Sequence, residues 1–321
     1  MPTRRIHELF ETLAALVPGM PAVVAETERL AYGELDRQAN RLARYLRALG
    51  LGAEERVAVA LERSPEAVVA LLAVWKAGGV WMPLDLSWPA ERLGLLLEES
   101  GAAFLIAREE SAAALAAAAA PWPLPDDAGE LPPLWHLRIV RLDRDAAEIA
   151  GQSTAPLRSA AGPEYPACLL DPSGPDGSAG VMLTHRDLVQ RALAGLPGGR
   201  TGTGHRILQR AAGSAFSLEE ILLTLPQGAA LHLAPEGRQL DGAFGRLLDE
   251  RAITHLLLPR DLSRPLVDDL AREAAGDPAS FEALDFEVVP SRPYSLLKEP
   301  AVRALARLLR DRPDAAAGGP S

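Results

Sequence analysis

The stretch with the clearest chemical pattern in this chain runs from Asp171 to Gly180. An apolar segment of strand length precedes it, and an apolar-periodic segment follows it. This order predicts a strand, a phosphate-binding loop and a helix. In such loops glycines let backbone N–H groups approach an anion, while hydroxyls and a lysine neutralise it. Ser173, Gly174, Gly177 and Gly180 are therefore the candidate phosphate-binding residues.

The same stretch carries residues that oppose phosphate binding. Pro172 and Pro175 have no backbone N–H to donate, and Asp176 would place a like charge beside a phosphate. At an effective dielectric of about 20, two like unit charges in contact at 4 Å repel by on the order of 4 kcal/mol. The chain has only two lysines, Lys76 and Lys298, and neither lies in this stretch. The sequence therefore predicts the outline of a phosphate loop with weakened phosphate binding.

The composition of the chain argues against several classes of protein. The chain has 321 residues, of which 48% are hydrophobic, enough for a large α/β core. Its net charge of −10 and its lack of a Lys/Arg-rich block argue against a nucleic-acid partner. The single cysteine, Cys168, excludes an internal disulfide and predicts a buried apolar residue, and the six histidines lack metal-ligand spacing. With no signal-peptide pattern and no long apolar run, we expect a cytoplasmic protein without a membrane partner.

The elements that must position the candidate loop alternate between strands and helices. Apolar runs predict strands near 57–61, 80–85, 103–107, 137–142, 205–211, 229–233, 254–258 and 286–289, and a hairpin near 22–32. Helical spacing predicts helices over 6–16, 35–46, 65–75, 90–99, 185–194, 217–225, 244–250, 262–274 and 301–309. This alternation is typical of an α/β fold with mostly parallel sheets and flanking helices.

The chain shows no internal repeat and no clear domain linker. The segment 111–133, rich in alanine and then proline, predicts a helical stub and a loop within the fold. We expect one domain over residues 1–312 and a disordered tail over 313–321.

Several motifs occur in an order that resembles one known family. They are the helical Ile6–Phe10, the run Leu30–Leu35, and the long run Trp75–Asp85 continued by Trp88–Leu93. Together with the loop at 171–180 they resemble the adenylate-forming superfamily, and within it the adenylation domains of nonribosomal peptide synthetases. The resemblance implies layered α/β sheets in the large N-terminal subdomain, ATP with Mg²⁺ as cofactor, and formation of acyl-adenylates.

The loop departs from the motif that the resemblance assigns to it. Working loops of the family read Thr-Ser-Gly-Ser-Thr-Gly, then any residue, Pro, Lys and Gly. In that register Pro172 replaces the threonine, while Pro175 and Asp176 replace the following serine and threonine. The stretch is also one residue short, and its lysine is missing. Compared with the family motif, the loop is thus expected to be vestigial: it retains Ser173, Gly174 and Gly177 and is expected to hold no ATP. ATP with Mg²⁺ stays the alternative if the loop is still competent.

A second departure concerns the substrate. Amino-acid-activating relatives carry a Phe-Asp pair six residues before a glutamate, and the aspartate holds the substrate's amino group. Counting back from Glu220 places Ser214 and Ala215 at that pair, and no aspartate occurs between Asp187 and Asp241. Beyond Val289 the later family motifs and the C-terminal lid do not occur, so the sequence predicts a truncated domain.

Four further charged or polar features receive structural interpretations. We expect Lys76 to shield the last carbonyls of its helix, and Glu219–Glu220 to complement the dipole at a helix start. We expect His185 to pack or cap after the loop, with a position near a ligand left open. Lys298 is interpreted as a helix-start residue without a chemical role.

The favoured hypothesis is a degenerate adenylation-domain-like protein with no catalytic residue, a pseudoenzyme. It would serve a structural or docking role beside condensation, carrier or other adenylation-associated domains. Two alternatives stay open. One is an adenylating enzyme for an aryl, keto or fatty acid without an α-amine, whose lid comes from another chain. The other is a truncated gene product without a selected role.

Overall fold

The computed structural model describes residues 4–119, 137–158, 162–173, 179–194, 201–210, 215–235, 242–259, 286–288, 294–297 and 299–310. The helices are α1 (Ile6–Leu16), α2 (Tyr32–Ala48), α3 (Pro65–Ala77), α4 (Ala90–Glu99), α5 (Glu109–Ala119), α6 (Ala146–Ala150), α7 (His185–Ala194), α8 (Ala215–Leu222), α9 (Gly242–Glu250) and α10 (Glu299–Arg310). A 3₁₀ turn spans Leu225–Gln227.

The strands are β1 (Pro21–Val24), β2 (Arg29–Ala31), β3 (Arg56–Ala60), β4 (Val80–Pro83), β5 (Phe104–Ala107), β6 (Arg138–Arg141), β7 (Pro166–Ser173), β8 (Ala179–Thr184), β9 (Arg206–Gln209), β10 (Ala230–Leu233), β11 (His255–Pro259), β12 (Phe286–Val288) and β13 (Tyr294–Leu297). Within the described residues they form two sheets. The first has the order β12-β13-β11-β9-β10-β1-β2, and the second has the order β6-β5-β3-β4-β7-β8.

Both sheets are mostly parallel, which confirms the predicted fold class. In the second sheet, β6, β5, β3, β4 and β7 run parallel, and β8 closes the edge antiparallel to β7. In the first sheet, β1, β10, β9 and β11 run parallel, while β2 and β13 pair antiparallel with their neighbours. One large core cluster includes Val23 and Leu231 of the first sheet and Val57 and Ile106 of the second.

Local sequence signals set both ends of α3. The Ser64 hydroxyl accepts a hydrogen bond from the backbone N–H of Ala67 at 3.2 Å, and Pro65 is the first helical residue. Gly78 ends the helix with φ of 95°, a left-handed conformation that favours glycine. Trp75 is buried and its indole N–H donates to the carbonyl of Ala167 in β7 at 2.8 Å. The helix thereby fixes the strand that leads into the candidate loop.

Three sequence predictions cannot be compared with the structure. The predicted helix over 262–274, the part 120–133 of the alanine- and proline-rich segment, and the tail 313–321 lie outside the described residues. The predicted helical stub is present as α5. Two strands are absent from the prediction: Ala179–Thr184 forms β8 beside β7, and Tyr294–Leu297 forms β13 between β11 and β12.

Candidate functional site

The candidate loop lies at the tip of an antiparallel hairpin. Ser173 is the last residue of β7 and pairs with Ala179, the first residue of β8. Gly180 lies in β8, whereas Gly174 and Gly177 lie outside the described residues. The predicted order of strand, loop and helix is therefore wrong in one respect, because a second strand separates the loop from α7.

Strand β8 separates the start of α7 from the loop. β8 has six residues, and a strand rises about 3.3 Å per residue, so α7 begins roughly 20 Å along the chain from the loop. The start of α7 is also closed by its own residues. The N–H of Thr184 donates to Asp187 Oδ2 at 2.8 Å, and the N–H of Asp187 donates to Thr184 Oγ1 at 3.2 Å. Hydrogen bonds from the Thr184 backbone and hydroxyl lower the pKa of Asp187.

Arg63 links the carboxyl ends of the two sheets. Its Nε donates to the carbonyl oxygen of Ala234, just after β10, at 2.7 Å, and its Nη1 donates to the carbonyl oxygen of Arg210, just after β9. Ligands of open α/β sheets bind outside the carboxyl ends of the strands, so this junction is the edge at which a ligand would be held. The sequence analysis does not single out Arg63; the signal that could have found it is its position three residues after the end of β3.

A cavity of about 30 Å³ lies at this junction, and its lining includes Arg63, Gln209 and Ser217. A volume of this size holds about one or two water molecules. Ser217 is the residue aligned with a serine of the family's substrate motif. Ala215 is the first residue of α8, and Ser214 lies outside the described residues. The part of this motif that the structure describes thus lies at the wall of a small cavity.

The two glutamates of α8 do not lie at its first turn, so the predicted dipole role is wrong. The helix begins at Ala215, which places Glu219 and Glu220 one turn further on. Glu219 pairs with Arg191 of α7 at 2.5 Å. Glu220 is fully buried, and its Oε1 accepts from the backbone N–H of Arg210 at 3.0 Å. Both carboxylates therefore hold elements together beside the cavity.

Lys76 forms a buried ion cluster instead of the predicted cap. Its Nζ lies 2.9 Å from Asp36 Oδ1 of α2 and also pairs with Glu11 of α1. The carbonyl cap assigned to Lys76 is made by Arg47, whose Nε donates to the carbonyl of Ala77 at 3.1 Å. Lys76 thereby ties α1, α2 and α3 together. Lys298 lies outside the described residues.

His185 is confirmed as a packing residue. It is fully buried, and its ring meets His7 of α1 edge-on, with ring centroids 5.5 Å apart. Burial lowers the pKa of His185 to about 4 and holds that of His7 well below its usual value. Neutral rings suit this apolar setting.

Three further features of the described residues concern thiol chemistry, metal binding and membrane spans. Cys168 is buried in β7, and burial raises the pKa of its thiol to about 12, which keeps it unreactive. Across the described ranges, no group of three or more His, Cys, Asp or Glu side chains is placed to hold a metal. The helices found there are all too short or too polar to cross a bilayer.

A family model described as AMP-binding enzyme matches residues 10–298. Chondramide synthase cmdD of Chondromyces crocatus is 36% identical over 267 residues, which cover 80% of this chain and 6% of that protein. Phosphinothricin tripeptide synthetase PhsC of Streptomyces viridochromogenes is 36% identical over 261 residues, 79% of this chain and 22% of that protein. The chain thus spans a small part of the length of these relatives.

Solved structures that resemble this chain point to the same family. The N-terminal subdomain of NpsA from Klebsiella oxytoca superposes with a TM-score of 0.68 at 25% identity, covering 83% of this chain and 65% of that one. The AMPPNP-bound form of the nonribosomal peptide synthetase FmoA3 gives a TM-score of 0.63 at 26% identity, covering 79% and 25%. The chain therefore belongs to the AMP-binding enzyme family, with the fold of the N-terminal subdomain of nonribosomal peptide synthetase adenylation domains.

Proposed function

We propose that this chain is a non-catalytic adenylation-domain-like unit, spanning residues 1–312, that has a structural or docking role in a nonribosomal peptide assembly line. The observation that carries the proposal is the composition of the connection between β7 and β8. Two prolines and an aspartate stand where a phosphate-binding loop has hydroxyls and backbone N–H donors, and the lysine of such loops is missing. The vestigial residues Ser173, Gly174, Gly177 and Gly180 remain without these partners.

The position of the loop supports the same conclusion. It connects β7 to the antiparallel β8 and does not lead directly into α7, so the N-terminus of the next described helix does not follow it along the chain to offset the missing cation. An Asp176 carboxylate held within 4 Å of a phosphate would add a like-charge repulsion of about 4 kcal/mol at an effective dielectric of about 20, which weakens binding about a thousandfold. The packing signals of the fold, such as the Ser64 cap and the Trp75 hydrogen bond, are intact.

A measurement of nucleotide binding tests whether the loop has lost its phosphate site. We expect calorimetry with AMPPNP and Mg²⁺ to give no saturable heat for the wild-type chain. A matched variant would carry the family loop, with the segment 172–180 replaced by Thr-Ser-Gly-Ser-Thr-Gly-Ala-Pro-Lys-Gly. If the loop alone is defective, this variant gains nucleotide binding. Tight binding by the wild-type chain would contradict the proposal.

Docking is tested separately. The full chain would be titrated with an isolated carrier domain and an isolated condensation domain of a nonribosomal peptide synthetase from the same source. Saturable binding to either domain, unchanged by AMPPNP, supports a docking role. A folded chain that binds neither domain would contradict it.

One observation favours a second candidate function, adenylation of an acid without an α-amine. No aspartate lies between Asp187 and Asp241, and Ala215 begins α8, so an ammonium group would lack the counter-ion that amino-acid-activating relatives supply. An aryl, keto or fatty acid needs no such counter-ion. This candidate requires ATP and Mg²⁺ binding, so the same calorimetry separates it from the first.

A further inference from the structure

Two buried histidines meet where the first helix packs on the helix that follows the hairpin. His7 of α1 is 2% exposed and His185 of α7 is fully buried. Their rings are edge-on, with an interplanar angle of 77° and centroids 5.5 Å apart. His185 directly follows β8, so this contact also anchors the base of the β7–β8 hairpin.

Polar groups in this pair lack partners. Nδ1 of His7 and both ring nitrogens of His185 are buried and have no hydrogen-bond partner within the described part of the chain. An imidazolium has two N–H donors, and burying a charged donor without an acceptor is costly. The closed contact therefore requires both rings to be neutral.

The charges around the pair oppose protonation further. Arg5, Lys76 and Arg47 act on His7, and Arg5 acts on His185. Glu8 is the carboxylate that acts on His185, and it is itself paired with Arg5 at 2.6 Å. A protonated ring would thus lie against the other ring and close to more cationic than anionic side chains, which disfavours its charge.

We propose that His7 and His185 form an acid-sensitive latch. The neutral pair holds α1 against α7, and uptake of a proton by either ring releases α1 and loosens the base of the β7–β8 hairpin. The latch is independent of whether the chain binds nucleotide.

The expected size of the effect follows from His185. Its pKa is about 4 in the closed contact and 6.5 when the ring is free, so the open state binds more protons between these values. Opening therefore becomes easier as pH falls from 6.5 towards 4. The open population is expected to rise about 30-fold between pH 7.5 and pH 5 through His185 alone.

Native-state amide exchange of the full chain tests the latch. After correction for intrinsic exchange rates, protection of α1 and α7 amides should fall at least about 30-fold from pH 7.5 to pH 5. That loss should depend less on urea than global unfolding does, because releasing α1 exposes only part of the surface that unfolding exposes. Amides of α3 should keep the urea dependence of global unfolding.

Two variants complete the test. His7→Phe with His185→Phe keeps aromatic rings in place and should remove the pH dependence of α1 exchange. Val189→Ala, a buried change on α7, should weaken protection equally at both pH values. If α1 and α3 of the wild-type chain lose protection together with the same urea dependence, the latch does not exist. That wild-type comparison decides the question even where the double variant fails to fold.

Discussion

Replacing Lys76 by methionine is expected to destabilise the chain well beyond a surface change. The lysine side chain is 1% exposed and lies between Glu11 of α1 and Asp36 of α2. Methionine keeps most of the apolar stem, so packing changes little. The loss therefore comes from leaving two carboxylates in a largely buried site without their cation.

The magnitude follows from the exposure of the partners. Removing one member of a fully buried ion pair costs about 3–5 kcal/mol. Here the carboxylate side chains of Glu11 and Asp36 are 26% and 19% exposed, so water solvates them in part. We expect Lys76→Met to lower the free energy of unfolding by about 2 kcal/mol.

Urea unfolding of the wild-type chain and two variants measures this loss. Arg108→Met is the matched control, because Arg108 pairs with Glu66 on the surface and their side chains are 53% and 40% exposed. That control should change stability by less than about 0.5 kcal/mol. Equal losses in the two variants would refute the buried-cluster reasoning. A loss below about 1 kcal/mol for Lys76→Met would instead fit a cation at a helix end.

Two further substitutions test packing. Gly245→Ala would place a Cβ 2.7 Å from the Ala306 carbonyl where α9 crosses α10, so we expect urea unfolding to show a loss of about 2 kcal/mol. Gly19→Ala, whose Cβ would meet nothing within 4 Å, is its control. Tyr32→Phe removes a buried hydroxyl that donates to the Ala229 carbonyl at 2.8 Å. It should lower the melting temperature through a loss of about 1–2 kcal/mol, and unchanged melting would contradict that hydrogen bond.

Much of the fold could be predicted because its signals are local. The Ser64 cap, Pro65 and Gly78 delimit α3 in the sequence, and the short apolar run that follows forms β4. Elements that depend on distant pairing could not be predicted in this way. β8 and β13 are short apolar runs whose strand conformation follows from pairing with β7 and β11.

The site was less predictable, for the same reason. The loop residues could be named from their composition, but the hairpin that carries them requires the β7–β8 pairing. Lys76 pairs with Glu11 and Asp36, which lie 65 and 40 residues away along the sequence, and no local pattern indicates such partners. His7 and His185 likewise come from opposite parts of the chain, so their contact could not be inferred from spacing.

The proposed function requires that this adenylation-domain-like chain forms no adenylates. The most direct measurement is ATP–pyrophosphate exchange by the full chain, with Mg²⁺ and separate panels of amino acids, aryl acids, keto acids and fatty acids. We expect every panel to remain at the level of the reaction without acid. Exchange above that level with any acid would contradict the claim, and the panel that supports it would identify the substrate class.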